Sequence, residues 1–156
     1  MPRRVLASLT AAAALGVAVS VSGAGPAAAD GAPSPSCAQV VRIDSLAFDP
    51  AEITAGGTSA LELVATNCTG QSQAVSETWA GSWLSATATG IPSGCPVIDP
   101  LPRQVTFAPH ARVSTTTTYL VFPGCTASAL RVTVTVSQAG TQLARRSADL
   151  LIDHSA

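Results

Sequence analysis

Lysine is missing from all 156 residues, and methionine occurs once, at the first position. Aromatic residues are scarce, with two Trp, one Tyr and three Phe, and only His110 and His154 offer an imidazole. Each shortage narrows the chemistry. Eight arginines against nine carboxylates leave a net charge of −1, which excludes the dense basic footprint of a nucleic-acid binder. The four cysteines lie about thirty residues apart in succession, so the C-x-x-C pairs of a zinc site are missing. There is no Gly-rich phosphate loop. Past Val21 no apolar run approaches the roughly 20 residues that a membrane span needs.

The start of the chain has what the rest lacks. Arg3 and Arg4 precede an Ala-rich apolar run from Val5 to Val21, and Ala27-Ala28-Ala29 offers small residues at a cleavage position. This pattern predicts an export signal over residues 1–29. A polar linker over 30–36 and one domain over 37–153 follow. An uncleaved anchor is the competing reading, but the run is short and contains Ser8, Thr10 and Ser20. The Arg pair raises twin-arginine export, yet Val5-Leu6-Ala7 matches that signal weakly, so general secretion is expected. The exported part carries six Arg, six Asp and three Glu, a formal charge of −3. It is expected to be extracellular, with no membrane attachment after cleavage and no nucleic-acid partner. Its Ala, Thr, Val and Gly usage resembles that of high-GC bacteria.

Cys37, Cys68, Cys95 and Cys125 all fall in the exported part, where an even number predicts two disulfides. Turn signals choose the pairing. Asp49 to Gly57, rich in Pro and Gly, lies midway between Cys37 and Cys68. His110, in Ala108-Pro109-His110-Ala111, lies midway between Cys95 and Cys125. Strands running out and back from these turns bring the sulfurs together as Cys37–Cys68 and Cys95–Cys125. A Cys68–Cys125 staple between sheets is the rival pairing.

The clearest strand is Leu130 to Ser137. Leu130, Val132, Val134 and Val136 alternate with Arg131, Thr133, Thr135 and Ser137, giving one apolar and one polar face. Further strands are expected near Ala38–Phe48, Thr58–Thr66, Gln73–Leu84, Gln104–Phe107, Arg112–Phe122 and Gln142–Ile152. Parity switches in the first of these, which predicts a bulge near Asp44-Ser45. For the last two strands, a three-residue loop or an equivalent bulge sets Val136 by Ala144, Val132 by Ala148 and Leu130 by Leu150. That register keeps the core apolar except at Arg146, which is expected near the rim. With no covering helix, a second sheet must bury each apolar face. The expected fold is all-β, a two-sheet antiparallel sandwich of about seven strands with two disulfides.

Phe48-Asp49-Pro50, Ile53, Gly56-Gly57 and the terminal strand pair resemble immunoglobulin-like and fibronectin-III-like modules of secreted bacterial proteins. That resemblance implies a fold and carries no activity. The Phe48-Asp49-Pro50 start also resembles copper-binding cupredoxins. Their ligand set of two His, a Cys and usually a Met is not matched, because the exported part lacks Met and its cysteines are committed. No cofactor and no metal are expected.

Candidate sites are few. His110 sits in a turn and His154 near the end, and both read as exposed polar residues. Ser72 in Gly70-Gln71-Ser72-Gln73-Ala74 lacks the strand-to-helix context of a nucleophile elbow. Asp44, Asp49 and Glu52 gather near one turn, where they read as solvated residues rather than a weak calcium site. Trp79 and Trp83, four apart on one strand face and roughly 13 Å from each other, would suit stacking on sugars unless they fill the core. The Pro-rich loop from Cys95 to Arg103 is stiff and anchored, so it would lose little entropy on binding. Its Cys95-Pro96-Val97-Ile98 and Asp99-Pro100 resemble the reactive loop of the secreted subtilisin-inhibitor family. The resemblance implies Val97 as the residue presented to a protease and Ile98 as the residue after the scissile bond. The favoured expectation is a secreted, non-enzymatic binding or structural module with an unknown protein or polysaccharide partner. A protease inhibitor or a carbohydrate-binding module is the alternative.

Overall fold

The computed structural model describes residues 37–85 and 90–155. The predicted signal and linker lie outside the described residues. Among those residues every regular element is a strand: β1 (Val41–Asp49), β2 (Glu52–Thr54), β3 (Thr58–Asn67), β4 (Gln73–Leu84), β5 (Leu101–Phe107), β6 (Arg112–Leu120), β7 (Ala129–Gln138) and β8 (Thr141–Asp153). They form two sheets, one in the order β1-β3-β6 and the other β2-β8-β7-β4-β5. All pairs are antiparallel except β2 with β8.

Alternation decides which side of each strand is covered. Leu61, Leu63 and Ala65 on β3 are buried, while Glu62 between them is exposed. Leu130, Val132, Val134 and Val136 on β7 are fully buried. Leu61 and Leu63 from one sheet share a core with Trp79, Val132, Val134 and Leu150 from the other. A second cluster, of Val41, Ala65, Val75, Phe107 and Val136, fills the far end. Each such aliphatic side chain contributes about 1.5–3 kcal/mol by leaving water.

Two irregularities foreseen from parity are present. The β1–β3 ladder shifts register between Ile43 and Ser45. On β7–β8, Val136 faces Ala144, Val132 faces Ala148 and Leu130 faces Leu150. A register shift at Val136/Ser137 takes up the odd residue, and the turn itself is Ala139-Gly140 with φ of 47° and 82°. Both central residues of such a hairpin turn need positive φ. Arg146 is exposed at the rim, as expected.

The expected count of about seven strands is corrected to eight among the described residues. The segment read as a turn contains β2, three residues with Ile53 pointing into the core. Both disulfides form with the expected partners, Cys37–Cys68 and Cys95–Cys125, with Cα atoms 5.4 and 4.3 Å apart. The rival Cys68–Cys125 bridge is thereby excluded.

Candidate functional site

Among the described residues, the segment from Gly90 to Pro100 is the longest irregular stretch between strands, and several contacts hold it in place. Leu101, Pro102 and Arg103, expected in the loop, instead pair with β4 as the start of β5. Gly94 has φ of 70° and approaches Gly124 so closely that a Cβ there would lie 1.9 Å from the Gly124 carbonyl oxygen. The Thr126 amide donates to the Ser93 carbonyl at 2.9 Å, beside the Cys95–Cys125 bridge. Trp83 Nε1 donates to the Pro96 carbonyl at 2.7 Å. Ile98 lies against Gly81 of β4, where an added Cβ would meet Ile98 Cγ2 at 2.8 Å. Trp83, Cys95 and Ile98 thus pack on the edge of the main core. Between loop and strand runs a cleft of about 310 Å³ lined by Trp83, Ile91, Pro96, Val97 and Ile98. Val97 and Ile91 remain 71% and 59% exposed on its lip.

The structure therefore brings Trp83, Val97 and Ile98 together. Trp79 and Arg103 lie apart from them. Trp79 is buried to 1% exposure and presents no ring face for stacking, so the two tryptophans do not form a shared platform. Its indole N–H donates to Glu77 Oε2 at 3.2 Å, and the Thr115 hydroxyl donates to the same oxygen at 2.9 Å. Glu77 is itself buried, at a core-facing position of β4 between Val75 and Trp79. Sequence reasoning passed over it, although its parity with those two residues was the available signal. Arg103 sets its guanidinium 5.4 Å from the Trp79 ring centroid and donates to the Thr116 carbonyl at 2.8 Å. It ties β5 of one sheet to β6 of the other. Burial raises the pKa of nearby Tyr119, and the charge of Arg103 offsets part of that rise.

The remaining candidates are structural. Ser72 donates its hydroxyl to the Phe107 carbonyl at 3.1 Å. His110 occupies a turn with φ of 55° and is exposed. His154 Nε2 donates to the Ala127 carbonyl at 2.7 Å, which ties down the segment after β8. The acidic group read near the first turn does not assemble, and no cluster of three potential metal ligands occurs among the described residues. Asp44 turns instead to Arg42 at 2.7 Å and Thr66 at 2.6 Å, with Arg112 at 3.5 Å. Burial alone would raise its pKa. The bonds from Thr66 and Arg42, with the charges of Arg42 and Arg112, outweigh that and hold it below the usual carboxylate value.

Asp44 also marks a second concavity that the sequence did not reveal. Arg146 of β8 donates to the Asp44 carbonyl at 2.9 Å. Around that contact Gln39, Arg42 and Ile43 face Gln142, Leu143, Arg145 and Arg146 across a groove of about 540 Å³. The arginines stand about a hundred residues apart in the chain, and only the approach of β1 to β8 joins them.

No protein-family model and no curated protein sequence matches the chain. Among solved structures, it is similar to the Pseudomonas fluorescens alkylpurine DNA glycosylase AlkC bound to DNA containing an abasic-site analogue. The TM-score is 0.50 at 18% identity, over 73% of this chain and 30% of that one. The match spans less than a third of the glycosylase and is a likeness of fold alone.

Proposed function

We propose that the chain is a secreted, non-enzymatic immunoglobulin-like sandwich that binds an extracellular protein or polysaccharide through the end capped by the Cys95–Arg103 loop. The strand order supports the fold reading. Taken in chain order, β4, β7 and β8 occupy the places of immunoglobulin strands C, F and G, with β5 beside C. β1, β3 and β6 occupy those of A, B and E. Trp79 then stands on strand C and packs in the core, as the hallmark Trp of such domains does. The staples differ from the antibody pattern, because neither disulfide joins the B and F positions.

The observation that carries the binding reading is the locked loop. Gly94, the Cys95–Cys125 bridge, the Trp83–Pro96 bond and Ile98 fix a segment that leaves Val97 and Ile91 facing solvent. Exposed apolar residues on a rigid rim around a cleft bind with little ordering cost. The seat of Ile98 against Gly81 favours this over protease inhibition, since a reactive loop needs the residue after the scissile bond free to enter an enzyme.

The test is a surface-plasmon-resonance panel of subtilisin, trypsin, cellulose, chitin and xylan on the processed protein. A Val97→Asp variant runs in parallel. Saturable binding to one surface, weakened at least about tenfold by Val97→Asp, supports the proposal; one apolar anchor of about 1.4 kcal/mol accounts for that factor. Competitive inhibition of a protease, or hydrolysis of a polysaccharide lost in His110→Ala, overturns it.

A further inference from the structure

The groove between β1 and β8 gathers charge in a protein whose balance is otherwise acidic. Three arginines, Arg42, Arg145 and Arg146, line it, and a fourth, Arg112 on β6, reaches the Asp44 carboxylate beside it. Arg42 and Arg112 lie within 4 Å of the Asp44 carboxylate, Arg146 binds its backbone carbonyl, and Arg145 lines the groove beside Arg42. The other described residues hold two arginines against seven carboxylates. One of those two, Arg131, is held by both oxygens of Asp149 at 2.8 and 2.7 Å. The second, Arg103, is the inter-sheet tie. Positive charge is thus concentrated at one edge, in a concavity whose walls focus the field.

We propose that this groove binds an anionic polysaccharide, a chain of sugars carrying repeated carboxylate or sulfate groups. Three features select that class. Guanidinium forks match planar carboxylates and sulfates bidentately. The amides of Gln39 and Gln142 lie in the same groove and can both give and accept hydrogen bonds to sugar hydroxyls. Among the described lining residues there is no aromatic ring on which a nucleobase would stack. A single exposed guanidinium–anion pair is worth little in water. A polymer that engages several in succession gains by effective concentration, so an isolated small anion is a poor occupant. Asp44 offsets one of these charges, since its carboxylate is held by Arg42 and Arg112 as Asp149 holds Arg131. The net positive charge of the groove therefore rests on Arg145 and Arg146, of which Arg146 donates to the Asp44 carbonyl.

The site is separate from the Trp83 cleft, so the two proposals fail independently. Fluorescence-anisotropy titrations of the processed protein would use labelled heparin oligosaccharide (sulfate), oligogalacturonate (carboxylate), neutral dextran and duplex DNA at about 50 mM salt, where the Debye length still exceeds 10 Å. Binding to heparin or oligogalacturonate, weakening with salt and absent for dextran, is expected. An Arg145→Gln/Arg146→Gln variant is expected to lose at least about tenfold in affinity. Arg131→Gln and Val97→Asp are expected to keep it. Circular dichroism and thermal melts check that each variant is folded. If Arg145→Gln/Arg146→Gln fails to fold, Arg145→Gln alone, whose side chain makes no bond to Asp44, is to show a several-fold loss. No binding to either anionic glycan, tighter binding to duplex DNA, or an equal loss in Arg131→Gln overturns the proposal.

Discussion

Asn67 is fully buried, and its side chain is satisfied at both ends. Its Nδ2 donates to the Gln71 and Ala108 carbonyls at 2.7 and 2.9 Å, and its Oδ1 accepts from the Thr69 amide and hydroxyl at 2.9 and 2.8 Å. It pins the turn after β3 to the turn before β6. The Asn67-Cys68-Thr69 sequence matches a glycosylation acceptor by letter, yet the folded chain keeps that amide out of solvent. Asn67→Ala would leave the Thr69 amide N–H without its acceptor and take one donor each from the Gln71 and Ala108 carbonyls, which keep the Thr69 hydroxyl and the Ala111 amide. One orphaned donor costs about 1–3 kcal/mol, and we expect a loss in that range in urea unfolding. A loss below about 1 kcal/mol would mean that solvent replaces the amide freely. At this scale the sequence was least informative. Glu77 was visible only as a carboxylate with core parity, and nothing local foretold that Trp79 and Thr115 would both donate to it.

Strands were legible where alternation ran long enough to count. β3, β4, β6, β7 and β8 start and end within two residues of where the pattern placed them. β2 escaped because three residues between a proline and paired glycines cannot display a period, and its only ladder is a parallel one to β8, about a hundred residues away. The loop after β4 was legible as stiff, through its prolines and Cys95, but where it packs was not. That depends on Gly81, whose missing side chain leaves room for Ile98. Ala at 81 would place a Cβ 2.8 Å from Ile98 Cγ2 and 3.3 Å from its Cβ, atoms of a stiff β-branched side chain. Overpacking of this kind costs about 1–3 kcal/mol. The strand cannot retreat from its ladders to β7, so the loop moves. Gly81→Ala is expected to speed proteolytic cleavage between Gly90 and Arg103 and to lower thermal stability, with both disulfides retained. Unchanged cleavage would mean that the bridge and Gly94 hold the loop without Ile98.

On the scale of the whole molecule, two sheets meet face to face through apolar residues, while at one edge β1 meets β8 through Asp44. That contact was hidden from sequence reading because its members are spread over residues 42 to 146, and charge position along a chain says nothing of charge position in space. It makes acid stability a readout of the edge. Asp44 titrates below its unfolded value of about 3.9, because the bonds from Thr66 and Arg42 outweigh the opposing effect of burial. In the interval between the folded and unfolded pKa values the unfolded chain binds more protons, so stability rises with pH there. The contribution is complete above the unfolded pKa and disappears as pH falls through the folded one. Asp149, lowered mainly by its bond from Arg131, and Asp153, lowered by Ser155, add to the same acid limb. The difference between the native chain and Asp44→Asn isolates Asp44. At pH 7, Asp44→Asn is expected to lose about 1.5–3 kcal/mol, the range for hydrogen bonds to a charged group. That deficit is expected to stay constant from pH 8 to pH 5 and to close as both proteins are taken below about pH 3. Parallel urea titrations across that range measure it. A deficit that persists unchanged into acid would show that Asp44 acts through shape alone, with its charge contributing nothing to the joint between the sheets.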